Sequence, residues 1–191
     1  MNTPHVLAFA GSVRKESYNR KALAIVVAGA EAAGATVTVA DLRDFPMPIY
    51  DADWHAANGL PEQTVALRGL MMASAGLLIA SPEYNTSITP LLKNTIDWLS
   101  QDWNGESGQA PFRGKVCGLT GASNGAFGTI RALPHVSYIL SNLGVFVLPV
   151  VAVPRAGEVF GPDGAVGHRR NHDMLRQLGQ RVTETVAKLN T

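Results

Sequence analysis

The chain lacks most of the features that assign a small protein to a specialised class. It has one cysteine, Cys117, in 191 residues, so no internal disulfide can form. Cys117 stands in the apolar run Lys115-Val116-Cys117-Gly118-Leu119 and reads as a buried strand thiol, not a nucleophile. Charged residues make up only 16%, against a usual ~25%. With 46% hydrophobic residues, that scarcity excludes a disordered chain and suggests surface covered by another subunit. Neither sign of charge dominates. Lys plus Arg is 16 and Asp plus Glu is 15, so the basic excess of a nucleic-acid binder is missing. Long apolar runs are missing too. The run from Val6 to Ala10 is too short for a secretory signal. The run from Val145 to Val153 is interrupted by Pro149 and falls far below the ~18 residues that span a bilayer. The expectation is a cytoplasmic protein of a single domain over residues 1–191, with no nucleic-acid or membrane partner. A domain of this size buries roughly 70% of its unfolded surface, so it needs no metal or disulfide for stability.

What is present is alternation. Short apolar runs at 5–10, 36–40, 76–80, 115–120 and 145–148 read as strands. Between them the spacing predicts helices over 19–33, 62–73, 89–100 and 128–143, with a last helix over 169–189. That last helix carries Leu175, Leu178, Val182, Val186 and Leu189 on one stripe. Pro134 falls inside the fourth helix, where it costs about 3 kcal/mol unless it sits near a turn or kink. Strands alternating with helices mean βαβ units, hence an α/β doubly wound parallel sheet with helices on both faces. Two topologies suit five strands: a flavodoxin-like order 2-1-3-4-5, or half of a dinucleotide-binding fold. Two long loops, 41–59 and 101–113, are expected to be functional or to form an interface.

In such a sheet, ligands bind beyond the carboxyl ends of the strands. After the first strand comes Gly11-Ser12-Val13-Arg14-Lys15-Glu16-Ser17-Tyr18-Asn19, then a helix. Hydroxyls, a guanidinium and free helix N–H groups favour a phosphate. The stretch is neither G-x-G-x-x-G nor G-x-x-x-x-G-K-[ST], which argues against a pyrophosphate on the backbone and against a nucleoside triphosphate. A single terminal phosphate suits it. After the third strand comes Ser81-Pro82-Glu83-Tyr84-Asn85-Thr86-Ser87, then a helix opening at Pro90. Its aromatic and amide can flank a flat heterocycle, although a plain turn explains the same residues. After the fourth strand comes Gly121-Ala122-Ser123-Asn124-Gly125-Ala126-Phe127-Gly128. Its glycines admit a close ligand. It also matches G-x-S-x-G, the nucleophile elbow of α/β-hydrolases, with Asp163 and His168 or His172 following in triad order. A serine esterase using Ser123 is therefore the rival reading. No HGGG-type oxyanion segment accompanies it, and it leaves the first two loops unexplained.

Together the three loops resemble the NADPH-dependent FMN reductase family, the flavodoxin-like quinone, azo and chromate reductases. The likeness lies in GSxRxxSxN at 11–19, PEYN(x)S at 82–87 and GxSxGxxG at 121–128. The stretch from Asp41 to Asp51 and the one from Leu143 to Pro149 also look like that family's. The resemblance implies that Ser12, Arg14, Ser17 and Asn19 hold an FMN phosphate. It implies that Pro82, Glu83, Tyr84 and Asn85 line the isoalloxazine, and that Ser123 and Gly125 approach the ribityl or ring. The implied activity is an NAD(P)H-dependent FMN or quinone reductase with a ping-pong hydride cycle over one face of the ring. Quinones, azo compounds, metal oxyanions such as chromate, and free flavin are the implied acceptors. No side chain is needed as nucleophile, acid or base, because the cofactor carries the chemistry. Backbone donors near the pyrimidine edge would stabilise negative charge on the ring. The chain departs from the family at Val136-Ser137, where Leu-Arg is common. In the family the helix over 128–143 often contributes to subunit contacts, so the departure bears on the assembly more than on the flavin site; the low charge and the long loops lead to the expectation of a homodimer or homotetramer with the flavin near an interface.

Weaker signals remain. His168 and His172 are four apart, but no H-E-x-x-H pattern is present and no metal is expected. Asp41 ends the second strand, where a dinucleotide fold places a ribose carboxylate; without the glycine fingerprint it reads as a loop residue. Trp54 and His55 either reach a neighbouring active site or pack at an interface. A non-catalytic flavodoxin-like electron carrier is a further alternative. Such carriers tend to be strongly acidic, and the net charge here is +1.

Overall fold

The computed structural model describes residues 3–161 and 169–189. The sheet is parallel and runs in the order β2-β1-β3-β4-β5, the flavodoxin-like order. Its strands are β1 (His5–Ala10), β2 (Thr36–Ala40), β3 (Gly76–Ala80), β4 (Val116–Ala122) and β5 (Phe146–Val147). A further short strand, β6 (Val151–Val153), also pairs with β4. The fifth strand is expected at 145–148; the structure has it in two pieces, β5 within that span and β6 beyond it. Val116 and Cys117 face β5, while Thr120, Gly121 and Ala122 face β6. Pro149 lies between the pieces and has no N–H to give to a ladder, which is why the strand breaks there.

The helices are α1 (Tyr18–Ala32), α2 (Ala52–Asn58), α3 (Glu62–Met72), α4 (Pro90–Leu99), α5 (Leu133–Asn142), α6 (Ala156–Val159) and α7 (Arg169–Leu189). Two apolar layers cover the sheet. Leu23, Val26 and Val27 of α1 and Leu175, Leu178, Val182 and Val186 of α7 bury one face. Leu67 and Met71 of α3, Leu92, Ile96 and Leu99 of α4, and Val136 and Leu140 of α5 bury the other. α1 and α7 approach closely. A Cβ at Gly29 would lie 2.1 Å from the Arg176 carbonyl, and one at Gly179 2.0 Å from that of Val26. Cys117 is fully buried in β4, and burial pushes its thiol up, away from reactivity.

Three expectations are corrected. The fourth crossover helix begins at Leu133, not at residue 128, and Pro134 sits in its first turn. There its missing N–H is not needed, so the expected strain disappears. Part of the loop 41–59 is helical: α2 is capped by Asp51, whose carboxylate accepts from the Trp54 N–H at 2.9 Å. Trp54 and His55 of α2 pack edge-on against Trp98, at 5.7 and 5.5 Å between rings. Trp98 itself is fully buried and donates from Nε1 to the Pro48 carbonyl at 2.7 Å. The loop 101–113 is irregular, as expected, but anchored. Buried Arg68 donates to the carbonyls of Leu99, Gln101 and Ser107 and meets the Glu106 carboxylate. Nothing in the apolar spacing of α3 marks Arg68 as a core residue.

Candidate flavin site

The loops after β1, β3 and β4 meet at the carboxyl end of the sheet around a cleft of about 200 Å³. Ser12, Arg14, Ser17, Tyr18 and Asn19 form one wall. Pro82, Glu83, Tyr84, Ala122, Ser123 and Asn124 form the rest. Eight of the ten residues singled out above therefore border one space. Asn85 and Gly125 lie on the same loops but not on its wall.

The first loop is packed tightly against α4. A Cβ at Gly11 would lie 2.9 Å from that of Leu92, so only glycine fits without displacement. Thr89 caps α4 and also donates to the Gly11 carbonyl at 3.0 Å, joining the first loop to the third crossover. Ser17 stands at the N-cap of α1 but makes no capping hydrogen bond. Its hydroxyl and the first helical N–H groups are thus left for an anion. Arg14 lies over the Tyr18 ring at 5.3 Å and donates to the Glu16 carbonyl at 2.6 Å. It remains exposed, so its guanidinium is available at the mouth of the cleft. Asn19 behaves differently. It is buried, and its amide is engaged with both backbone groups of Ala122, at 2.9 Å each. It fastens α1 to the end of β4.

The second loop turns sharply. Tyr84 and Ser87 exchange backbone hydrogen bonds at 3.1 and 3.0 Å, with Asn85 and Thr86 both at positive φ. This matches a tight turn that needs two left-handed residues. The turn leaves Tyr84 57% exposed beside the cleft, an aromatic without a buried contact to account for it. The Glu83 carboxylate points inward to Arg131. It accepts from Arg131 Nε at 2.9 Å, from Nη2, and from the Ala132 N–H at 3.3 Å. Spacing along the sequence gives no sign of this pair. Ser87 Oγ meets His135 Nδ1 at 2.9 Å, a second tie between the same loop and α5.

The third loop is held from below. Ser123 N donates to the Val153 carbonyl at 3.2 Å, and its carbonyl accepts from Ala156 N at 3.0 Å. Ser123 Oγ donates to the Gly128 carbonyl. Asn124 Oδ1 accepts from Gly157 N at 2.8 Å. The esterase reading finds no support here, because the Ser123 hydroxyl faces a carbonyl and meets no imidazole among the described residues. Asp163 and His168 lie outside the described residues. His172, on α7, is near Asp173 at 4.0 Å.

These observations fit a flavin mononucleotide. One end offers uncapped N–H groups, hydroxyls and a guanidinium for a phosphate, and the other offers an exposed aromatic and loop backbone for a flat ring.

Comparison with known proteins agrees. The family model described as NADPH-dependent FMN reductase matches residues 4–158. An NAD(P)H-dependent FMN reductase of Pseudomonas aeruginosa is 34% identical over 186 residues, 96% of each chain. A quinone reductase of Escherichia coli is 32% identical over 146 residues, 75% of this chain and 72% of that one. Among solved structures, the flavoenzyme NAD(P)H:(acceptor) oxidoreductase FerB from Paracoccus denitrificans superposes with a TM-score of 0.81 at 26% identity, covering 97% and 98% of the two chains. With a match that runs through all three loops of the cleft, the chain belongs to the NADPH-dependent FMN reductase family.

Proposed function

We propose that the protein passes electrons from NAD(P)H through FMN to a small quinone in a ping-pong cycle, reductant and acceptor using one exposed face in turn. The observation that carries this reading is the cleft itself. Its phosphate end and its ring end lie on three loops that the chain ties to one another at Thr89–Gly11, Asn19–Ala122 and Glu83–Arg131. FMN, when bound, supplies the two-electron chemistry. Ser12, Ser17 and Arg14 bind the phosphate; Pro82 and Tyr84 border the ring; Ser123 shapes the turn between them. Asn19 and Glu83 border the cleft and hold these loops in place through their hydrogen bonds to Ala122 and Arg131. The relatives named quinone reductase favour a quinone over chromate, azo compounds or free flavin, which remain acceptors to compare.

Exposed apolar side chains after β4 and on α5 support an oligomer. Phe127, Ile130 and Tyr138 are 64%, 43% and 76% exposed. Exposed apolar groups of this size fit a contact with a second copy in a homodimer or homotetramer. Light scattering that returns the mass of one chain rejects it. Among the described residues no helix is long and apolar enough to cross a membrane, and the reading takes the protein as cytoplasmic.

The deciding experiment is an absorbance spectrum after FMN is added and free flavin removed. Co-eluting flavin bands that bleach anaerobically with NADPH, and return with a quinone, support the proposal. A colourless protein overturns it.

A further inference from the structure

A second cavity, of about 310 Å³, lies beside the flavin cleft, between α1 and the edge strand β2. Small apolar groups make its floor: Ala10 of β1, Ala24 and Val27 of α1, and Ala40 of β2. Val39, also on its wall, is left 60% exposed. The rim is polar. Asp41, the first residue after β2, receives Arg20 at 3.1 Å and the fork of Arg43 at 3.0 and 2.5 Å. Ser12 borders both this cavity and the flavin cleft, so the two meet at the loop after β1.

Size alone puts the cavity at the lower end of small-molecule sites, roughly 300–1,000 Å³. Its apolar slot with a few convergent polar groups has the usual build of such a site. Its place says more. In a doubly wound sheet, the nucleoside half of a dinucleotide lies between the first helix and the carboxyl end of the second strand, where an acid meets the ribose. Asp41 stands at that point, and two partly exposed guanidiniums beside it suit a phosphate. Asp44 also acts on Arg43, which keeps the rim near neutral. Recognition there rests on shape and hydrogen bonds, not on net charge.

We propose that this cavity holds the adenosine end of the dinucleotide reductant, with the base between Ala24 and Val39, the ribose at Asp41 and a phosphate at Arg20 and Arg43. The inference rests on the NAD(P)H reading above and adds where the part of the substrate remote from the reacting ring is held. The absence of the glycine fingerprint does not oppose it, since the loop after β1 is left to the flavin phosphate and only the nucleoside enters the slot. Binding energy of this kind acts on KM, not on the chemical step.

The test is a calorimetric titration of adenosine monophosphate into the FMN-loaded protein and its Ala24→Phe and Arg43→Gln variants. Steady-state rates accompany it, with NADPH and with reduced nicotinamide mononucleotide, which has no adenosine. Ala24 is exposed, so a phenylalanine fills the slot from outside without entering the core. The wild type is expected to bind adenosine monophosphate, and both variants about tenfold more weakly or worse. The kcat/KM ratio of NADPH to the mononucleotide is expected to fall by a similar factor in Ala24→Phe. Equal affinity in wild type and Ala24→Phe, no binding by the wild type, or an unmoved ratio overturns the proposal. A protein that takes up no FMN, or whose FMN neither donor bleaches, fails at the earlier step and overturns the reductase reading instead.

Discussion

Asn19 and Ala122 are tied together across 103 residues of chain: the Asn19 amide accepts from the Ala122 N–H and donates to its carbonyl, each at 2.9 Å. Both ends are buried. The pair joins the first turn of α1, where the phosphate is expected, to the last residue of β4, where the third loop departs. Asn19→Ala leaves a backbone donor and a backbone acceptor without partners. Each such group costs about 1–3 kcal/mol. A loss of about 2–4 kcal/mol in urea unfolding of the apoprotein is expected, together with weaker FMN binding. A variant as stable as wild type removes Asn19 from this role.

Arg14 gives the opposite pattern. It is exposed, and its hydrogen bond in the structure is to the Glu16 carbonyl two residues on. Arg14→Ala is therefore expected to leave the urea midpoint of the apoprotein within experimental error. FMN affinity is expected to fall by about 1.5–3 kcal/mol, the worth of a hydrogen bond to a charged group. Urea unfolding of the apoprotein checks the first half and fluorescence titration of FMN the second. An unchanged dissociation constant takes Arg14 out of the phosphate site.

These two residues show what was legible in the chain. Both stand in one motif, and both border the same cleft. The sequence separates them no further, because which partner meets Asn19 depends on how β4 is brought beside α1. Glu83 is similar: its place after β3 is legible, but its guanidinium partner lies 48 residues on, in a turn that the helical spacing had absorbed into α5. The strands β1, β2 and β3 and the helix α7 fall where their apolar patterns put them: β1 and β3 are continuous apolar runs buried on both faces, and α7 carries one stripe on its buried face. The misses are local and physical. Pro149 ends the expected fifth strand, but nothing in the spacing shows that the chain resumes pairing with β4 at Val151. Pro134 opens a helix whose interior it was expected to disturb. Arg68 hides because a buried cation is rare unless paired, and the carbonyls that meet its two terminal nitrogens come from the irregular loop 101–113 and its approach.

The Glu83–Arg131 pair should show coupling. The Glu83 side chain is only 6% exposed, while Arg131 is 53% exposed. Removing the arginine leaves a carboxylate largely out of water with the Ala132 N–H as its remaining donor. Removing the charge of the acid leaves an exposed arginine that water satisfies. Arg131→Ala is therefore expected to destabilise more than Glu83→Gln. A double-mutant cycle is expected to return about 1 kcal/mol of coupling, above that of an ordinary surface pair. Additive effects place the two residues in separate roles.

Asp41 makes the acid side of stability testable. The Arg43 side chain, hydrogen-bonded to its carboxylate, holds the pKa of Asp41 down at about 2, against partial burial; the Arg43 backbone N–H and the Arg20 charge add to it. A carboxylate with a depressed pKa binds protons more readily in the unfolded chain. Its contribution is therefore complete above the unfolded value near 3.8, shrinks as pH falls below it, and is gone below about 2. The shift corresponds to about 1–2 kcal/mol once screening by solvent is allowed for. Asp41→Asn removes this contribution. The gap in unfolding free energy between wild type and variant is expected to be full at pH 5, partly closed at pH 3 and nearly closed at pH 2. Urea titrations of the apoprotein at those three values measure it. A gap that stays constant across the range means the carboxylate titrates alike in both states, and the ion pairs with Arg20 and Arg43 then add nothing to the fold.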